Sequence, residues 1–206
     1  MKDINLKKRD IPKKSILESN CWKEFVKALV PLKNKEKGYA FEELTRLHLL
    51  AHPTFSSKID KLWHHSKIPQ KVVDELGLAK PEIGIDLVAK VKDGTYWAIQ
   101  CKFLQDSNSL SLGALSSFFG ITGRPKTYKK LSHRLICTSA DSISVNVKNN
   151  YSEKLGYLTS EEFTKLGKTE FESFRKILAG EQVIPKPHGK RNHQKSAIDK
   201  TKEKFY

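Results

Sequence analysis

The sequence predicts an α/β fold with a mixed central sheet flanked by helices. Three observations carry that expectation. Ile83, Ile85, Leu87, Ala89 and Val91 alternate with Gly84, Asp86, Val88 and Lys90, which is the period of a strand. Asp93-Gly94 then supplies a turn, and Thr95 to Phe103 return as a second strand. Helical periodicity lies on both sides of this hairpin: Phe41, Leu44, Leu47, His48 and Ala51 before it, Phe163, Leu166, Phe171, Phe174 and Leu178 after it.

The remaining elements follow in order. Residues 1–15 are rich in lysine, lack periodicity and read as a flexible arm. Ser19-Asn20 cap a short helix carrying Cys21, Trp22, Phe25, Val26 and Leu29, stopped by Pro31. Lys33 to Lys37 read as a charged linker, and a helix then runs from Gly38 to Ala51 until His52-Pro53 ends it. Residues 54–80 are less clearly patterned, with one helix near Gln70–Leu76 closed by Gly77. Residues 109–121 read as a helix, and Arg124-Pro125 opens a basic loop. Leu135-Ile136-Cys137-Thr138 form a short buried strand, and Glu161 to Leu178 one amphipathic helix. The expected organisation is a basic arm with a short helix (1–37), a core (38–140), a helical extension (141–185) and a linker (186–206).

Composition narrows the function. The 206 residues suffice for one compact domain. No run of eighteen apolar residues occurs and no apolar stretch follows the basic N-terminus, so neither a spanning helix nor a signal peptide is expected. Cys21, Cys101 and Cys137 are scattered and odd in number, which argues against a disulfide framework or a four-thiolate zinc site and suits a reducing cytoplasm. The net charge of +15 is concentrated in residues 1–40, 123–134 and 181–206, leaving a neutral body. Solvated lysine would account for such a surplus, but its clustering points to a polyanion, most commonly nucleic acid. Arg124, Lys126, Lys129, Lys130 and Arg134 are the candidates for phosphate contacts that position a duplex without reading its sequence.

An acid on a helix, an acid in a strand and a lysine on the next strand can assemble a magnesium site. Glu42 lies beside the apolar Phe41, with Glu43 as its competitor. Asp86 interrupts an apolar strand, where a carboxylate is costly unless paired or metal-bound. Gln100 and Lys102 stand two apart and share a face of the following strand. Magnesium prefers oxygen ligands and keeps several waters, so two or three protein oxygens are sufficient. Register sets a condition. A two-residue turn at Asp93-Gly94 would place Asp86 opposite Cys101 and away from Gln100 and Lys102, so a three- or five-residue loop or a bulge is predicted.

Three stretches, G-x-x-F-E-E-L (Gly38–Leu44), I-G-I-D-L-V-A (Ile83–Ala89) and Y-W-A-I-Q-C-K (Tyr96–Lys102), resemble the motifs of the PD-(D/E)xK nuclease superfamily, and most nearly its Mrr-like branch. The resemblance covers roughly residues 38 to 140. It implies that Glu42 and Asp86 are metal-binding acids, with the motif favouring Glu42 over Glu43. Gln100 would be a ligand or water-positioning group, the Cys101 main-chain carbonyl would complete the shell, and Lys102 would orient or activate the attacking water. The implied cofactor is Mg²⁺, with Mn²⁺ as a substitute, and the implied substrate double-stranded DNA. Two departures stand out: Gln100 supplies an oxygen without a charge, and Ile85 occupies the place of the motif's proline.

Lys190-Arg191-Asn192-His193-Gln194 followed by Ala197-Ile198 resembles the segment ahead of the nucleotide-binding motif in superfamily 2 helicases. This implies the nuclease part of a longer restriction enzyme resembling the type ISP enzymes, covalently linked to a translocase and dimerising for double-strand cleavage. The expected function is a magnesium-dependent DNA endonuclease; a catalytically inactive nuclease-like DNA-binding or docking module, and a junction-resolving or repair nuclease, are the alternatives. His48, His52, His64 and His65 read as packing or surface residues, since no H-E-x-x-H pattern or nearby cysteine supports zinc. Cys101 and Cys137 read as small core residues, and Trp97 as support on the other face of its strand.

Overall fold

The computed structural model describes residues 11–78, 84–104 and 109–183. Its sheet contains β1 (Ile59–His64), β2 (Leu87–Val91), β3 (Tyr96–Lys102), β5 (Leu131–Thr138) and β7 (Leu155–Leu158) in that spatial order. The short β4 (Ser109–Leu110) and β6 (Ser142–Ile143) pair separately. β2 runs antiparallel to both of its neighbours, β1 and β3, whereas β5 and β7 continue parallel to β3, so the expected mixed sheet is present. β3 is central because it is apolar on both faces. Trp97, Ile99 and Cys101 point into one cluster and Tyr96 and Ala98 into the other.

The first face is covered by α1 (Ile11–Leu17), α2 (Trp22–Leu29), α3 (Asn34–Ala51) and α10 (Lys168–Leu178), through Ile16, Phe25, Leu29, Phe41, Leu44, Phe171 and Phe174. The four-residue α4 (Pro53–Ser56) and α9 (Ser160–Phe163) add Phe55 and Phe163 to that cluster. The second face receives α5 (Gln70–Leu76), α6 (Ser116–Thr122) and α8 (Val145–Asn150), through Val72, Leu76, Phe118, Ile121 and Val147. α7 (Pro125–Lys130) packs against α5 and α6.

Several expectations change. Part of the supposed arm is the helix α1, and Lys33–Lys37 supply the cap and first turn of α3 rather than a linker. The basic loop is the helix α7 followed by the first half of β5, and 109–121 holds a short strand before its helix. The final amphipathic helix is broken at Leu166-Gly167 into α9 and α10, although Phe163, Leu166, Phe171 and Phe174 are buried as expected. Helices before residue 38 and after residue 140 share one core with β3. The helicase-like segment at 190–198 lies outside the described residues.

Candidate active site

The β2–β3 hairpin decides whether the acids converge. Its loop is Lys92-Asp93-Gly94: the Val91 N–H donates to the Thr95 carbonyl (2.9 Å) and the Gly94 N–H to the Val91 carbonyl (2.9 Å). Gly94 has φ 87°, the left-handed conformation that a three-residue hairpin loop requires at this position. The odd loop pairs Leu87 with Ile99 and Val88 with Ala98. Just ahead of β2, the Asp86 N–H donates to the carbonyl of Ile99 (2.9 Å), the register partner of Leu87, and the Asp86 carboxylate meets the Gln100 side-chain amide. A three-residue loop is one of the arrangements expected to bring the two residues to a shared face.

Asp86 is held from every side. Its carbonyl accepts from the His65 N–H (2.8 Å), and one carboxylate oxygen accepts from the Cys101 N–H (2.6 Å) and from the Gln100 side-chain amide. Two residues earlier, Gly84 has φ 115°, and a Cβ there would lie 2.8 Å from the backbone of Ser117 and Phe118. Only glycine permits that approach, which seats the Asp86 segment against the start of α6. Burial pushes the Asp86 carboxyl up, while the Cys101 N–H and the charges of Lys102 and His64 pull it down; the net direction is upward.

Glu42 arrives from α3. Burial, and then the negative charge of Asp86, raise its carboxyl to about 8, against an opposing pull from Lys102. The two acids and the lysine therefore share one electrostatic environment. Glu43 is differently engaged: Arg46 holds it bidentately (2.9 and 2.8 Å) and the Nε2 of His64 lies 2.6 Å away. Burial would raise Glu43, but those hydrogen bonds prevail and hold it at about 2. Lys102 ends β3, its carbonyl tied to the Thr138 hydroxyl (2.9 Å) and the Ser139 N–H (3.2 Å).

The donor set suits a hard cation. The Gln100 side-chain nitrogen donates both to Asp86 and to the Cys101 carbonyl (3.3 Å), so a partial positive charge already sits between two of the expected ligands. Rotating that amide by half a turn would present its oxygen to the same spot. Among the described residues no three His, Cys, Asp or Glu side chains form a metal cage. Two carboxylates with neutral amide and carbonyl oxygens fit magnesium, which retains waters, better than zinc. The Cys101 thiol is buried beside its register partner Cys137, and burial pushes its pKa upward, consistent with a packing role.

The expected phosphate contacts do not gather here. Arg134 is 4% exposed and donates to the Tyr151 carbonyl (3.1 Å), its guanidinium stacked near Phe119 and Tyr128. It is a core cation and not a surface one. Lys130 pairs with Glu75 (3.4 Å). Arg124, Lys126 and Lys129 are exposed, but α7 enters β5 at Leu131, which pairs with Tyr96. Lys102 pairs with Thr138 at the opposite end, roughly 20 Å along the strand. His64 and Arg46, which sequence reasoning did not connect to Glu43, are the residues it missed; the i, i+3 spacing of Glu43 and Arg46 was the available signal.

Comparison with known proteins agrees with this fold. The chain aligns along 91% of its length, at 20% identity and a TM-score of 0.61, with a solved structure described as an ATP-dependent Type ISP restriction-modification enzyme LlaBIII bound to DNA. It spans 11% of that much longer chain. No curated protein matches the sequence. The restriction endonuclease family Mrr_cat_2 matches residues 50–180, a span that includes Asp86, Gln100 and Lys102. By that match over more than half its length, the chain belongs to the Mrr-type restriction endonuclease family and carries a nuclease domain.

Proposed function

We propose that this nuclease domain is a magnesium-dependent DNA endonuclease that hydrolyses phosphodiester bonds of double-stranded DNA. The observation that carries the proposal is the meeting of Asp86, the Gln100 amide and the Cys101 main chain, with Glu42 near enough to feel the charges of Asp86 and Lys102. Asp86, Glu42, the Gln100 side-chain oxygen and the Cys101 carbonyl would hold the cation. When bound, a divalent ion neutralises charge on the phosphoryl oxygens and lowers the pKa of water. Lys102, fixed at the strand end, donates hydrogen bonds that orient the attacking water and stabilise the developing negative charge. Glu43 takes no part in that chemistry, because Arg46 and His64 occupy its oxygens.

The setting we propose is a longer restriction enzyme in which this domain is joined to a translocase and dimerises to cut both strands. The fold shared with a type ISP enzyme and the helicase-like residues 190–198 support it. A second reading, an inactive DNA-binding module, is favoured by Gln100, whose amide nitrogen occupies the position a cation would take. Purified protein incubated with supercoiled plasmid and Mg²⁺ separates the two. Nicking that disappears in Asp86→Ala and Lys102→Ala supports the endonuclease; nicking that survives both variants removes these residues from the reaction. Duplex binding without nicking, under all conditions including dimerising concentrations, would favour the inactive module.

A further inference from the structure

With Arg134 buried and α7 at the far end of the sheet, the site needs another surface to grip a phosphodiester backbone. Helix α3 supplies one. It runs antiparallel to β3: Phe41 meets Phe103, just past Lys102, with ring centroids 5.7 Å apart, whereas His48 meets Phe55 at 5.9 Å and Phe55 meets Trp97 at 6.4 Å. The turns before Phe41 therefore lie on the Lys102 side. On those turns Lys35, Gly38 and Tyr39 stand seven, four and three residues before Glu42 and share its helix face. Lys35 and Tyr39 are exposed, with the ammonium 5.7 Å from the ring centroid. The nearby Glu36 accepts from the Lys33 N–H (2.9 Å), so this acid is spent on capping the helix.

Gly38 is the anomaly. Glycine inside a helix is less favourable than alanine, and is retained where the backbone needs positive φ or something must come close. Gly38 has no positive φ, and a Cβ there would meet nothing within 4 Å. Neither conformation nor packing asks for glycine, yet the gap lies one turn from Glu42.

We propose that the sugar–phosphate backbone of duplex DNA crosses α3 at Gly38 on its way into the site, with Lys35 contacting a phosphate and Tyr39 packing on the adjoining sugar. The inference rests on the DNA endonuclease reading above and names the surface that reading lacks. The charge is complementary: Lys33 and Lys35 are both exposed on this end of the helix.

Anisotropy of a fluorescein-labelled duplex of about 20 base pairs, titrated with the full chain in EDTA, tests it across a salt series. Gly38→Ala should melt higher than the parent, because alanine is the better helix former, and still bind the duplex more weakly. Gly38→Leu should weaken binding by about tenfold with its helical content unchanged, a steric block. Lys35→Ala should weaken binding and flatten the slope of log K against log salt by about 0.9, the loss of one phosphate contact. Parent-like duplex affinity in Gly38→Leu and Lys35→Ala overturns this surface and leaves the endonuclease reading intact. A parent chain that binds no duplex at all overturns both. Gly38→Ala and Lys35→Ala keep the test decisive even where the leucine variant fails to fold.

Discussion

The Oε2 of Glu43 lies 2.6 Å from the Nε2 of His64, a hydrogen bond joining the helix that carries Glu42 to the edge strand beside Asp86. Asp86 accepts the His65 N–H, so the neighbour of His64 touches the proposed metal ligand directly. Glu43 is thus a clamp between two elements, its oxygens engaged by Arg46 and His64.

The clamp gives the protein a defined weakness in acid. The folded-state pKa of Glu43, about 2, lies below its ordinary value of 4.5, so between those limits the unfolded chain binds more protons. The associated stability is fully present above about pH 4.5 and is lost as pH falls towards 2, up to about 3 kcal/mol. Glu43→Gln should abolish this part of the acid dependence and cost about 2 kcal/mol at neutral pH by weakening the bonds to Arg46 and His64. Urea unfolding at pH 7, 4 and 3 measures both; parallel pH profiles for the parent and Glu43→Gln would show that the clamp carries no stability.

Glu42 moves the other way. Raised to about 8, it retains its proton in the folded chain between pH 4.5 and 8 where the unfolded chain has lost it. Metal-free stability should therefore fall as pH rises through that window, and Glu42→Gln should flatten the fall. Cation binding must displace the same proton, so Mg²⁺ affinity should drop by about tenfold for each pH unit below 8. Calorimetry in buffers of different ionisation enthalpy should find close to one proton released per Mg²⁺ at pH 7. Release near zero, with affinity flat from pH 6 to 8, would remove Glu42 from the ligand set.

The legible parts of this protein were those written in local pattern. The alternation from Ile85 to Val91, the helical stripe through Phe41, Leu44 and Leu47, and the Gly77 stop each follow from backbone geometry over a few residues. The three-residue hairpin was legible too, because only an odd loop or a bulge brings Asp86 and Gln100 to one face. β1 was hidden because it is an edge strand with an irregularity between Ile59 and Lys61 and with Asp60 and Lys61 in solvent, so its alternation is broken. The bond from Glu43 to His64 spans 21 positions and has no local signature. The basic stretch misled for a related reason: closeness in sequence to Gln100 and Lys102 says nothing about direction, and β5 carries its cations in at the end remote from Lys102.

Gln100 offers a test in which two measurements must move in opposite directions. Its amide donates to Asp86 and to the Cys101 carbonyl, and it is 3% exposed. Gln100→Glu replaces that donor with a third carboxylate near Asp86 and Glu42, so the metal-free protein should lose about 2 kcal/mol or more. The same charge adds to the field on a cation, so Mg²⁺ should bind about tenfold more tightly and restore the melting temperature. A variant destabilised equally with and without Mg²⁺ would place the cation elsewhere.

Thr138 fixes the far side of the site through the backbone. Fully buried and paired in register with Lys102, its hydroxyl donates to the Lys102 carbonyl (2.9 Å) and accepts from the Ala140 N–H (3.1 Å). Ser139 closes the next step, accepting from the Leu104 N–H (2.7 Å) and donating to the Leu104 carbonyl (2.9 Å). Thr138→Val keeps the shape and removes the hydroxyl, leaving the Ala140 N–H without this acceptor at a cost of about 1–2 kcal/mol. Because the bond holds the chain at Lys102, the plasmid-nicking rate at saturating Mg²⁺ should fall by about tenfold while Mg²⁺ affinity stays within about twofold, and Thr138→Ser should recover the rate. A lowered melting temperature with an undiminished nicking rate would mean that Thr138 stabilises the strand pair and does not position Lys102.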